Sequence, residues 1–230
     1  MITDLRTIDD DHATLRCEVA IVGAGAAGIY LARQLAVGGK DVVIIEAGGA
    51  VCASNADLGF TADFPLEPYP GATRGRFFGL GGTTSRWGGL LFPHTTLDAR
   101  TETDFTPDQW PRIIDDVNRW GSTVLNRLGY DQDGRFMEFA EHALEPVASS
   151  LLSAGLVPGA SLFIPFRHRN FATMLNGQNR TNMSLRVLTN AVVNGWTMDE
   201  SDADTTRLRS VRAIASNDRT IEVNADRFIL

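Results

Sequence analysis

The sequence predicts an α/β fold built around a parallel sheet, and three observations predict it. A short β-branched run at 19–22 leads through a glycine-rich turn into a helix-patterned stretch, and a second such run follows at 42–45. Runs that are apolar on both faces suit strands covered from both sides. Beyond residue 183 the pattern changes to alternating strands at 187–196, 207–215 and 220–223, with a turn at Asn217 and Asp218. These predict a small antiparallel hairpin sheet appended to the parallel one, with "DRFIL" starting a strand that returns to it.

Bulk properties narrow the functional classes. At 230 residues, with 43% hydrophobic and 21% charged residues, the chain is ordinary for a globular protein. A net charge of -7 argues against sequence-independent nucleic-acid binding, which needs a basic face. It leaves room for a small anion, because backbone amides hold phosphate without net positive charge. The opening "MITDLRTIDDDH" has no signal-peptide pattern, and no apolar run suits a membrane segment. Cys17 and Cys52 fall on and beside neighbouring strands in places a disulfide does not span, so a reduced, cytoplasmic protein is expected. Lys40 is the single lysine and precedes Asp41, which excludes a P-loop and leaves lysine-based covalent chemistry almost no candidates. No metal-ligand spacing and no nucleophile motif is found.

The first fifty residues carry the strongest motif. In "AIVGAGAAGIYLARQLAVGGKDVVIIEAGG" the first strand ends at Gly23-Ala24-Gly25-Ala26-Ala27-Gly28. Apolar residues then recur at helical spacing (Ile29, Leu31, Ala32, Leu35, Ala36) until Gly38 and Gly39 stop the helix. Gly23 permits the tight turn, Gly25 lets backbone reach a pyrophosphate, and Gly28 brings helix against sheet. The helix start supplies unpaired amides and a positive dipole end. Glu46 ends the second strand, where a carboxylate accepts ribose hydroxyls; an acid there disfavours a 2′-phosphate and leaves FAD or NAD.

A second glycine-rich stretch, "GLGGTTSRWGG", spans residues 79–89. Its glycines let backbone amides converge, Thr83, Thr84 and Ser85 offer hydroxyls, Arg86 a cation and Trp87 a flat surface. Two cradles suit a ligand with a long body, and FAD laid across the sheet has one.

These two stretches, with "LRVLTNAVVNGW" near the end, resemble the glucose–methanol–choline (GMC) family of FAD-dependent oxidoreductases. The likeness is close at both ends and over 79–94, and loose from about 96 to 180. It implies a Rossmann-like FAD-binding fold. The cofactor-binding residues it implies are Gly23, Gly25, Ala26, Ala27, Gly28, Glu46, Ala47, Gly81, Gly82, Thr83, Thr84, Ser85, Arg86, Trp87, Gly88 and Val193. Val193 matches the position whose backbone pairs with adenine. Arg86 stands where covalent members carry a histidine, which implies non-covalent FAD. The resemblance further implies hydride transfer from a CH-OH group of an alcohol or sugar, with the electron acceptor open. The histidine base it implies lies beyond Leu230, so this chain reads as the N-terminal, FAD-binding portion. The alternatives are an NAD-dependent dehydrogenase or a non-catalytic FAD-binding fragment.

The expected organisation is an FAD-binding part over 1–95, a helical insertion over 96–182 belonging to the substrate domain, and a return to the FAD-binding domain over 183–230. Within the insertion, Thr106 as cap and Pro107 open a helix whose apolar face is Ile113, Ile114, Val117, Trp120, Val124, Leu125 and Leu128, with Pro111 restarting it and Gly129 closing it. Trp120 reads as core. A second helix is expected over 136–152, interrupted by Pro146, and "SLFIPFRHRNF" reads as a strand whose basic end, Arg167, His168 and Arg169, faces solvent, a substrate carboxylate or a negative charge on the flavin.

Overall fold

The computed structural model describes residues 1–10, 12–69, 71, 73–92, 94, 109–130, 149–156, 161–176, 184–199 and 207–230. They form two compact units, Met1–Arg86 with Asn170–Leu230, and Trp87–Arg169.

The first unit is a mostly parallel α/β sheet, as the sequence predicts. Strands β1 (Ile2–Asp4), β2 (His12–Val22), β3 (Val42–Ile45), β6 (Leu185–Thr189), β7 (Val192–Asp199), β8 (Arg207–Ile214) and β9 (Thr220–Ile229) lie in the order β1-β6-β3-β2-β9-β8-β7. The pairs from β1 across to β9 are parallel, whereas β8 runs antiparallel to β9 and β7 to β8. All four side chains of β3 are buried, because the strand is covered on both faces. Helix α1 (Ala26–Val37) follows β2 and buries Ile29, Ala32 and Ala36. It ends where the glycines predict: Gly39 takes φ +84° and the Lys40 amide donates to the Leu35 carbonyl at 3.0 Å.

Three boundaries differ from the sequence reading. Strand β2 begins at His12, ahead of the run expected at 19–22, so Cys17 lies well inside it. Burial pushes the Cys17 thiol up to about 11, which makes it a small apolar side chain rather than a nucleophile. The expected strand 187–196 breaks into β6 and β7 at Asn190, which takes φ +52° and holds that turn by donating from Nδ2 to Asp4 Oδ2 at 2.9 Å. The segments 220–223 and "DRFIL" join into one strand, β9, which pairs with β8 on one side and β2 on the other. The antiparallel strands are therefore appended by sharing β9 with the parallel sheet. Their buried residues Val211, Ala213, Ile221 and Val223 cluster with Ala20, Val43, Ile45 and Leu188 of the parallel strands. One core thus serves both halves.

The second unit contains α2 (Gln109–Arg127) and the antiparallel pair β4 (Leu90–Leu91) with β5 (Leu162–Phe163). Pro111 sits in the first turn of α2, where its missing amide is not needed, and the helix is continuous through it. Gly129, at φ +87°, closes the helix as expected. The expectation for Trp120 fails: it is 60% exposed, whereas Ile114 and Leu128 are buried. At 3.6 residues per turn Trp120 lies about 120° round the helix from Ile114, on the far edge of the apolar stripe. The strand expected from "SLFIPFRHRNF" stops after Leu162–Phe163, because Pro165 cannot continue a ladder; a helical turn at Phe166–Arg169 and a 3-10 turn at Phe171–Leu175 follow. Residues 149–153 are helical, whereas 136–148 with Pro146, and the Thr106–Pro107 helix start, lie outside the described residues. Among the described residues no helix is long and apolar enough to cross a membrane.

Gly28 fixes how closely α1 meets the turn out of β2. A Cβ there would stand 2.0 Å from the Gly23 carbonyl oxygen, which is backbone and cannot swing aside. Gly28→Ala is expected to destabilise the chain by about 1–3 kcal/mol, read as a lower urea midpoint at unchanged slope.

Candidate functional site

Three loops of the first unit meet beyond the carboxyl ends of β2 and β3. They are the turn Gly23–Gly25, the segment Glu46–Gly49 after β3, and the stretch Gly79–Arg86. Gly23 turns the chain out of β2 at φ +104° and donates to the Ile45 carbonyl at 2.8 Å. The Glu46 side chain then ties the first two loops together: Oε2 accepts from the Ala24 amide at 2.6 Å and Oε1 from the Gly48 amide at 2.9 Å. Glu46 is only 4% exposed. Burial raises its pKa above the ordinary glutamate value, while the amides of Gly48, Ala24, Gly79 and Ala47 pull it back. Ala47, expected at the site, thus contributes its amide to the same carboxylate.

The third loop is joined to the other two backbone to backbone. Gly81 donates to the Ala24 carbonyl at 2.9 Å and Leu80 to the Gly49 carbonyl at 3.1 Å. A Cβ on Gly48 would stand 2.2 Å from the Phe78 carbonyl oxygen, and one on Gly82 would stand 3.1 Å from the Gly25 Cα. Gly81 and Gly82 both have positive φ, at +92° and +53°. The glycines of the two motifs therefore serve each other first, as paired backbones in contact.

Gly25 is different. Its φ of -77° is open to any residue, and a Cβ built there meets nothing within 4 Å. The chain itself has no use for glycine at this position. It lies at the start of α1, where Ala26, Ala27 and Gly28 present first-turn amides that have no acceptor within the helix. An open backbone beside a helix N-terminus is a donor set that fits a pyrophosphate.

The remaining expected residues are distributed as follows. Thr83 is exposed, and Thr84 and Ser85 are half-buried in the 3-10 turn Gly82–Ser85. Arg86 is exposed, with its guanidinium 5.4 Å from the centre of the Phe77 ring. Trp87 and Gly88 belong to the second unit, where Trp87 Nε1 donates to the Arg169 carbonyl at 2.8 Å. Val193 lies in β7 opposite Ala213, on the last strand of the sheet among the described residues. In the basic cluster, Arg169 Nε donates to the Ile164 carbonyl at 2.9 Å and its guanidinium lies against Phe163 and Phe166. Arg167 Nε donates to His168 Nε2 at 2.9 Å. Cys17 and Cys52 are both free thiols, and among the described residues no group of three His, Cys, Asp or Glu side chains is placed to hold a metal ion.

Sequence reasoning missed Asn170, Phe171 and Cys52, which all touch the third loop. Asn170 Oδ1 caps the Phe171–Leu175 turn by accepting from the Ala172 amide at 2.9 Å, and a Cβ on Gly81 would stand 2.1 Å from that oxygen. The capping asparagine was readable in "RNFATML", but nothing local to it points to residue 81.

Comparison with known proteins bears on the fold and on its relatives. Residues 21–74 match a family model described as an NAD(P)-binding Rossmann-like domain. The chain is 29% identical, over 131 residues, to GMC-type oxidoreductases from two strains of Mycobacterium tuberculosis. Those matches cover 48% of this chain and 20% of each relative, so the chain corresponds to a minor part of their length. In fold it is similar to pyridoxine 4-oxidase from Mesorbium loti, at a TM-score of 0.53 and 19% identity, over 92% of this chain and 48% of that one. The chain's sequence relatives are thus GMC-type oxidoreductases, and its fold is Rossmann-like.

Proposed function

We propose that this chain supplies the FAD-binding part of an oxidoreductase that removes a hydride from the CH-OH group of an alcohol or sugar. The observation that carries the reading is the open backbone at Gly25 beside the α1 N-terminus, with a second glycine-rich loop packed against it. FAD, when bound, supplies the two-electron acceptor for that hydride. The amides of Gly25, Ala26, Ala27 and Gly28 hold its pyrophosphate. Glu46, at the carboxyl end of β3, is the acceptor for the adenosine ribose. The backbone of Val193 meets the adenine, and the loop of Gly81, Gly82, Thr83, Thr84 and Ser85, with Arg86 after it, runs along the pyrophosphate towards the flavin. Arg86 cannot take the covalent link a histidine forms, so the flavin is held non-covalently. The proton acceptor is assigned to no residue of this chain.

The matching family model is described as NAD(P)-binding, and an NAD-dependent dehydrogenase uses the first loop equally well. It leaves the loop at 79–86 without a ligand, which is why FAD is preferred. Titration of the purified chain with each dinucleotide decides between them: FAD is expected to bind and to be released intact by heat. Binding of NAD with no uptake of FAD would overturn the reading. Gly25→Val, which meets no neighbour, is expected to keep the thermal midpoint and weaken FAD binding about tenfold or more.

Glu46 also makes the stability of the fold depend on pH. Its pKa is raised in the folded state above the ordinary value of 4.5, so the folded chain binds this proton more firmly than the unfolded chain does. The stability contributed by that proton is fully present below pH 4.5 and is lost as pH rises through the folded-state value. Depressed carboxylates such as Asp4 and Glu18 act in the opposite sense, so the effect is read as a difference between two chains. The stability advantage of the native chain over Glu46→Gln is expected to shrink as pH rises from 4.5 towards neutrality, by denaturant titration at several pH values.

A further inference from the structure

We propose that Thr84 is a positioning residue, pinned from behind by the Asn170–Leu175 turn, that fixes the second glycine-rich loop where the flavin end of the dinucleotide is held. The proposal rests on the FAD reading above and deepens it by giving different tasks to hydroxyls that the motif presents as equivalent.

A hydroxyl carries one proton and two lone pairs. Thr84 Oγ1 lies 2.5 Å from the Gly81 carbonyl, to which it donates, and it accepts from the Phe171 amide at 3.2 Å. Its proton and a lone pair are both committed inside the chain. Ser85 Oγ lies 2.8 Å from the Gly82 carbonyl and 3.0 Å from Cys52 Sγ, so its proton is committed too. Thr83 is exposed; its Oγ1 has a long contact, 3.5 Å, as acceptor from the Phe77 amide, and its proton remains to be given. Of the three hydroxyls, Thr83 is the donor left for an acceptor outside the chain.

The anchoring behind Thr84 forms a closed circuit. Asn170 caps the 3-10 turn Phe171–Leu175 and its side chain fills the space that Gly81 leaves by having no Cβ. The far end of that turn is tied to α1, since Arg33 Nη1 donates to the Met174 carbonyl at 3.1 Å. The near end holds Thr84, Thr84 holds Gly81, and the Gly81 amide returns to Ala24 just before α1. The helix whose first turn faces the pyrophosphate and the loop that faces what lies beyond it are thereby held in fixed register. Without the pin, the segment keeps its backbone bonds to Ala24 and Gly49 but the turn Gly82–Ser85 loses its hydrogen bond to the Asn170–Leu175 turn.

The test uses the 230-residue chain and two substitutions, Thr84→Val, which keeps the shape and loses both hydrogen bonds, and Thr84→Ser, which restores them. Amide hydrogen exchange of the apo-protein reads the pin without any cofactor. FAD and AMP titrations read its consequence, AMP lacking both the pyrophosphate and the flavin that the loop holds. Thr84→Val is expected to speed exchange at Gly81–Arg86 and at Phe171, and to weaken FAD about tenfold with AMP affinity within twofold of the native chain. Thr84→Ser is expected to restore both. Unchanged exchange in Thr84→Val, or an equal loss of AMP and FAD, overturns the pin. Native protein that binds AMP but no FAD overturns the flavin reading, and the exchange data then decide the pin on their own.

Discussion

The carboxylate of Glu46 is the constraint on which the rest of the site depends. A buried acid is destabilising unless its oxygens are hydrogen-bonded, and here the partners are backbone amides from two different loops. Those loops leave neighbouring parallel strands, β2 and β3, whose last backbone rung is the Gly23 amide on the Ile45 carbonyl, and beyond it another group must hold them together. The side chain does so. Ala24 joins both partners, its amide donating to Glu46 and its carbonyl receiving the Gly81 amide of the third loop. One ionisable group thus sets the spacing of three segments that lie far apart in the chain.

That arrangement explains why the region needs so many glycines and why they are not interchangeable. Gly28, Gly48 and Gly82 each stand where a Cβ would press on the backbone of another segment. Gly23 and Gly81 need positive φ. These glycines let main chains touch, and their presence alone says nothing of a ligand. Gly25 is the exception within the first motif, since neither its conformation nor its surroundings ask for glycine. The inference of a ligand rests on that one position more than on the density of the motif around it.

Much of the fold was legible in the sequence where a local pattern and its tertiary fate coincide. Strand β3 falls on residues 42–45 as read, and α1 ends at its glycines, because β-branching and a C-terminal glycine act locally. Trp120 was misread because an apolar stripe of seven residues is wider than the surface that α2 buries, and the sequence does not say which edge faces inward. The break at Asn190 was missed because its left-handed turn is stabilised by Asp4, at the other end of the chain. At the site, "GLGGTTSRWGG" announced a close backbone approach, but its hydroxyls looked alike. What separates Thr84 from Thr83 is an amide at residue 171, and no spacing rule reaches that far.

The pairings that build this sheet also govern when the site can exist. Strand β2 pairs with β9, and β3 with β6, so each strand that launches a glycine loop is held by a partner from the last fifty residues of the chain. Asp41, at the foot of β3, is bound by Ser184 and Arg186 at 2.6 and 2.7 Å, and Met1 is tied to Leu185. Contacts of such long sequence separation require loop closure before they contribute stability. Glu46 itself is seated by the pairing of β3 with β6, since its amide donates to the Leu188 carbonyl and its carbonyl accepts from the Ala191 amide, both at 2.9 Å. The cradle is consequently not a local property of the glycine motif. It depends on the parallel pairings of β2 with β9 and of β3 with β6, which hold the strands its first two loops leave.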